Sequence, residues 1–301
     1  SRLLSNKQLS KQEVIDKIKQ DRCYDVACSI PKQFTDDKEV VTIAVQNFGN
    51  SLLYASDKLK ADKGVVLAAV NKDGKALQYA SDKLKSNKEV VIAAVKRNGK
   101  ALKYASNNLK ADKVVVLAAV SKKGQGLDYA SQDLLADKEV IMTAVSKDGD
   151  MLQFASDGLK ADKDVVMAAV SHSIMGTALR VASTKLQNDK KVVIAAVNSS
   201  YYALEYASKS MKADKDVVMA AVKNSGYALG WASPTLRNNK EVVLVALTNY
   251  GMSLDSASTA LRNDKEVVIV AVKQNKCALQ FASDNLQKDK DVNPKGKKSC
   301  A

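Results

Sequence analysis

The sequence predicts an all-α fold, specifically an α-solenoid: a superhelix of short two-helix repeats. Three observations predict it. A short unit recurs at a nearly fixed spacing along most of the chain. Each copy carries apolar residues at helical period. The apolar residues are mostly Ala, Val and Leu, with only 5% aromatics, a mixture that suits thin stacked layers better than one thick core.

The recurrence is read from the dipeptide Asp-Lys or Asn-Lys, which begins at Asp37, Asp62, Asn87, Asp112, Asp137, Asp162, Asp189, Asp214, Asn239, Asp264 and Asp289. The spacing is 25 residues throughout, except for 27 between Asp162 and Asp189. A fixed period of this length marks a repeat architecture. Residues 1–36 then form a divergent N-terminal cap, residues 37–288 a ten-unit helical repeat domain, and residues 289–301 a C-terminal tail. Divergent ends are expected, because a terminal repeat turns one face to water.

Within a unit, the Asp or Asn is counted as position zero. Its side chain is a good helix N-cap, able to accept from free amides of the first turn. Lys follows at position one. Apolar residues at three, four, seven and eight cover one face of the first helix. A Gly at position twelve (Gly49, Gly74, Gly99, Gly124, Gly149, Gly226, Gly251) is expected to take the left-handed conformation that ends a helix. A shorter second helix follows, with Leu at fifteen, Ala at eighteen and Leu at twenty-two on one face, and Ser at nineteen is expected to cap a final tight turn. A strand is excluded by the lack of period two and by the Ala-Ala core. Helices this short are marginal alone. Stacking at roughly 8–10 Å per layer would stabilise them and give a rod on the order of 100 Å.

The stretch Asn87 to Ala111, NKEVVIAAVKRNGKALKYASNNLKA, resembles the repeat of the domain-of-unknown-function 4116 family, and the resemblance recurs in all ten units. Similar repeats occur in proteins of intracellular bacteria, algae and other protists. The family carries no assigned reaction, so the resemblance implies an architecture and no site residues.

Composition narrows the function classes. The net charge is +14 and comes from Lys; Arg stands only at Arg2, Arg22, Arg97, Arg180, Arg237 and Arg262. Base-edge readers rely on the bidentate Arg fork, so Lys alone points to phosphate or acidic-surface contact at most. No apolar run reaches the roughly 18 residues of a membrane span, and the start, Ser1-Arg2-Leu3-Leu4, carries no signal-peptide pattern. Cys23, Cys28, Cys277 and Cys300 form no Cys-x-x-Cys pair and read as reduced thiols of a soluble intracellular protein. His172 is the single histidine, which excludes a histidine metal cluster. No phosphate-binding Gly-rich loop is present. The expectation is a non-catalytic protein without cofactor or metal.

Residues that recur in every unit are explained by the fold, and binding is sought where the units differ. Position thirteen reads Asn50, Lys75, Lys100, Gln125 and Asp150, then Thr177, Tyr202, Tyr227, Met252 and Cys277. The candidate partner-binding residues are Tyr201, Tyr202, Tyr227, Tyr250 and Met252, together with His172 beside the two-residue insertion. Trp231 replaces the usual Tyr at seventeen and is assigned to the core. A candidate basic patch comprises Lys72, Lys75, Lys96, Arg97, Lys100, Lys103, Lys122 and Lys123. The expected function is a protein-binding scaffold, as a subunit of a larger assembly or the targeting part of a bacterial effector. The alternative is non-specific binding of nucleic acid or an anionic surface through the lysines.

Overall fold

The computed structural model describes residues 9–20 and 30–294. The chain divides into two compact units, 1–147 and 148–301. Each is an all-α stack of the repeat, with no strand among the described residues. The α-solenoid predicted from the sequence is therefore the architecture of each.

One repeat comprises three pieces. In the second, a long helix spans Lys63–Lys72, a 3₁₀ helix Gly74–Tyr79 and a short helix Asp82–Lys85. The long helix forms where expected. The Oδ1 of Asp62 accepts from the Val65 amide at 3.0 Å, and Val65, Val66, Ala69 and Val70 are buried. The second piece differs from expectation, being 3₁₀ in most repeats. Its span is too short for an α-helix to gain many bonds, and it closes i→i+3 bonds such as Ala80 N–H to Leu77 O at 3.1 Å. The tighter turn buries positions fourteen and fifteen (Ala76, Leu77) and leaves positions sixteen and seventeen outside. A surface row of side chains results, one pair per repeat.

The glycine at position twelve also departs from expectation. Among these seven, only Gly124 has a positive φ, 67°. The others lie in ordinary backbone and are required by proximity. A Cβ on Gly74 would fall on the Ala94 carbonyl oxygen of the next repeat and 3.0 Å from the Asn98 Cβ. The small residue sets how closely successive layers approach.

Successive repeats are tied by main-chain bonds and by ion pairs. The Ser81 amide donates to Lys60 O at 2.9 Å and the Ser106 amide to Lys85 O at 3.0 Å, and the same link recurs at Ser208, Ser233, Ser258 and Ser283. Ser at nineteen is thus an inter-repeat tie. Its expected capping bond forms at Ser56, Ser208, Ser233 and Ser258. The Lys at position one is no solvated row either. Lys38 Nζ reaches Asp62 at 2.6 Å, Lys88 reaches Asp112 at 2.6 Å, and Lys113 reaches both Asp137 and Glu139, at 2.7 and 2.8 Å. Each of these Asp residues therefore serves two layers, one oxygen capping its own helix and the other holding the lysine behind it.

The carboxylates at positions zero and two compensate for one another. Where position zero is neutral, at Asn87 and Asn239, position two holds Glu89 and Glu241, which take Lys63 and Lys215 at 2.5 Å each. Where position two is Gly64, Val114 or Lys191, position zero is Asp. Lys11 of the divergent cap follows the same rule, pairing with Asp37 at 2.9 Å and Glu39 at 2.7 Å. The cap helix Lys11–Gln20 thus acts as a first layer without matching the repeat pattern.

This compensation sets an expected result. Asp112→Asn keeps the cap and strands Lys88, whereas Asp137→Asn leaves Glu139 to hold Lys113. The first should cost about 0.5 kcal/mol and the second close to nothing, as befits half-exposed pairs, measured by denaturant midpoint in low salt. Hydrogen bonds from the partner lysines hold Asp62, Asp112, Asp137 and Asp264 below the usual carboxylate range. Their contribution is present above the unfolded-state value, about 3.9, and is lost as pH falls through the lower folded-state values.

Cys277 is disulfide-bonded, which corrects its reading as a reduced thiol. Cys23, Cys28 and Cys300 lie outside the described residues. No helix among the described residues is long and apolar enough to cross a membrane.

Candidate functional site

The departures from the repeat pattern converge on one face of the second compact unit. Tyr201 and Tyr202 stack, with centroids 4.2 Å apart. Tyr227 meets Tyr201 edge-on at 6.2 Å, and Tyr250 lies 6.2 Å from Tyr227. These residues come from positions eleven to thirteen of three successive repeats, where each long helix turns into its 3₁₀ segment.

Trp231 corrects the sequence reading. It is half-buried and lies outside the core. Its ring is 5.5 Å from Tyr227, 5.8 Å from Tyr202 and 6.2 Å from Tyr201, which makes it the hub of the cluster. The 3₁₀ geometry explains the miss: position seventeen points outward, so the tyrosines there form a surface row. Tyr227 remains 54% exposed and Tyr250 40%, so the cluster presents rings to its surroundings. A hydrogen bond to Tyr202 is the main cause holding the Tyr201 phenol up at about 12, so Tyr201 stays uncharged at neutral pH.

Met252 lines a cleft of about 320 Å³ beside the cluster, with Tyr227, Trp231 and Tyr250 on one side and Phe281 and Asp255 also contributing. Phe281 and Asp255 were not singled out from the sequence. The signal for Phe281 was position seventeen, which was assigned to the fold, whereas Asp255 stands at position sixteen, to which no role was given.

His172 takes no part in these ring contacts. Its Nδ1 lies 2.9 Å from Ala168 O of the preceding helix, Lys163–Val170. The insertion beside it is held firmly: Ser173 Oγ donates to Asp150 at 2.6 Å, Thr177 Oγ1 donates to the same carboxylate, and Ser173 Oγ accepts from the Ala178 amide at 3.2 Å. The loop carries Ile174, 81% exposed, at its tip.

The basic candidates lie in the first compact unit. Lys96, Arg97, Lys122 and Lys123 line a cleft of about 230 Å³. Arg97 Nε donates to Lys72 O at 3.3 Å, which places Lys72 at its margin. Lys75 and Lys100 donate their amides to Asp73 and Asn98 and do not line the cleft. Lys103 sits over the Tyr104 ring, 6.0 Å from its centroid. The cleft forms where the repeat is irregular: the long helix Lys113–Val120 is two residues shorter than its neighbour Lys88–Arg97. Gly124 and Gly126 then turn the chain with φ of 67° and 94°.

No curated protein and no solved structure gives a significant match to the chain. A family model described as Domain of unknown function (DUF4116) matches residues 37–85, 62–109, 87–135, 137–187, 173–212, 214–262 and 239–287. Six of the seven overlapping matches begin at a zero-position Asp or Asn, the exception starting in the repeat with the insertion, and the chain belongs to the DUF4116 repeat family.

Proposed function

We propose that the protein is a non-catalytic scaffold that binds a protein partner through the aromatic face of its second compact unit. The observation that supports this reading is the five-ring cluster of Tyr201, Tyr202, Tyr227, Trp231 and Tyr250. Surface Tyr and Trp side chains offer large contact area at small entropic cost and dominate binding hot spots. The fold itself does not need Tyr202, Tyr227 and Tyr250 there, since other repeats carry polar residues at positions thirteen and eleven, such as Lys75, Lys100, Asp73 and Asn98.

The test is affinity capture from the native source with the wild type and with Tyr202→Ala/Tyr227→Ala, the recovered proteins being identified by mass spectrometry. At least one co-purifying protein should be lost from the variant while its melting temperature stays unchanged. Identical recovery by both proteins refutes the proposal.

A second reading rests on the cleft of Lys96, Arg97, Lys122 and Lys123, which suits phosphate or another polyanion. Phosphate contacts release counterions, so such binding falls steeply with salt. Filter binding of a single-stranded oligonucleotide should appear at low salt and weaken in Lys122→Ala/Lys123→Ala. Absence of binding at low salt removes this reading.

A further inference from the structure

The cleft beside the aromatic cluster exists because two neighbouring repeats lose bulk at adjacent surface positions. Position seventeen holds an aromatic in most repeats, including Tyr206, Trp231 and Phe281, but Ser256 stands between the last two. Position sixteen holds Gln280 in the following repeat and Gly230 in the preceding one. The missing ring and the missing side chain leave a slot with Trp231 at one end and Phe281 at the other, walled by Tyr227 and Tyr250.

The chemistry of this slot is one-sided. Four of its lining residues, Tyr227, Trp231, Tyr250 and Phe281, carry aromatic rings, and the electron-rich faces of such rings attract cations. Asp255 is its single charged lining residue, and no Lys or Arg lines it. Asp255 makes no ion pair with any described residue. That is notable in a chain of net charge +14, in which Asp214, Asp216, Glu241, Asp264 and Glu266 of the same unit are held by lysines.

We infer that the slot between Trp231 and Phe281 takes an arginine side chain of the partner, with the rings around the guanidinium and Asp255 as its counter-charge. This rests on the reading of the aromatic face as a partner-binding surface and specifies what that face selects. A neutral apolar side chain would use the rings and leave the carboxylate facing apolar groups. A sugar ring would stack on Trp231 without needing a charge.

Trp231 is the single tryptophan, so its fluorescence reports on the slot. The test titrates the full chain with acetyl-arginine N-methylamide, with its neutral isostere acetyl-citrulline N-methylamide, and with a methyl glucoside. The arginine compound should bind at least about tenfold more tightly than the citrulline compound, a difference of about 1.4 kcal/mol. Asp255→Asn should remove that preference. Gly230→Gln/Ser256→Tyr should abolish the response by filling the slot with residues that neighbouring repeats already hold. A Cβ at Gly230 meets nothing closer than Ser256 Oγ at 3.4 Å, so the melting temperature should not fall.

Equal binding of the arginine and citrulline compounds overturns the cationic assignment and leaves the partner-binding surface standing. Response to the glucoside alone overturns both. No response to any compound also overturns the cationic assignment, and the capture experiment with Tyr202→Ala/Tyr227→Ala then decides the surface separately.

Discussion

Adding one methyl group at Gly74 is expected to destabilise the protein by about 2–3 kcal/mol, the upper part of the overpacking range, while the same change at Gly158 stabilises it by about 0.5–1 kcal/mol. The first Cβ would land on the Ala94 carbonyl, with the Asn98 amide 3.1 Å away. Both obstacles are backbone of the next repeat, so no side chain can rotate aside. Relief requires the two layers to separate, which loosens the Val and Ala contacts between the helices Lys63–Lys72 and Lys88–Arg97. Gly158 sits in the first turn of the short helix Asp157–Lys160, and a Cβ there meets only Ser156 Oγ at 3.9 Å. Its replacement gains helix propensity without a clash. Denaturant midpoints of the two variants, moving in opposite directions, would show that close approach is what position twelve demands. Had the left-handed geometry expected from the sequence been the reason, Gly74→Asn would be tolerated. The close approach predicts that it is tolerated no better than Gly74→Ala.

Truncating Leu52 is expected to cost about 2–5 kcal/mol, while truncating its neighbour Leu53 changes stability by less than about 0.5 kcal/mol. The two leucines share a 3₁₀ segment, Gly49–Tyr54. Leu52 occupies position fifteen and is fully buried, whereas Leu53 at sixteen is 44% exposed. The residue at fifteen recurs as Leu77, Leu102, Leu152, Leu204, Leu229 and Leu254, each with no exposed surface. Its loss leaves a cavity that a rigid stack of short helices cannot close. Chemical denaturation of Leu52→Ala and Leu53→Ala compares them directly, and equal costs would contradict the assignment of sixteen to the surface.

The sequence revealed the architecture because the fold is built from nearest-neighbour contacts that repeat. Asp62, Val65, Val66 and Leu77 each have one job, and the same job returns 25 residues later, so the period exposes it. Links between repeats were harder to read. Lys88 and Asp112 are 24 residues apart, and only the stacked geometry brings them to 2.6 Å. The alternation of Asn87 with Glu89, and of Asp112 with Val114, was present in the sequence as a compensation whose meaning required that contact.

The candidate site was legible in part. Tyr202 and Tyr227 stood out because they break the pattern at position thirteen. Trp231 was lost for the opposite reason, since it resembles the recurring Tyr at seventeen and recurring residues were assigned to the interior. A 3₁₀ turn and an α-turn direct that position differently, and the sequence periodicity does not distinguish them over six residues. The slot beside Trp231 was harder still, because Gly230 and Ser256 mark it by what they lack.

The central claim is that recurring residues build the stack and departures from the pattern bind the partner. Partner capture with two matched double variants tests it most directly. Tyr202→Ala/Tyr227→Ala removes departures, and Tyr79→Ala/Tyr104→Ala removes recurring tyrosines of the first compact unit. The account predicts that the first variant loses the partner at an unchanged melting temperature, and that the second keeps the partner and melts lower. Loss of the partner from the Tyr79→Ala/Tyr104→Ala protein alone, at an unchanged melting temperature, would contradict it.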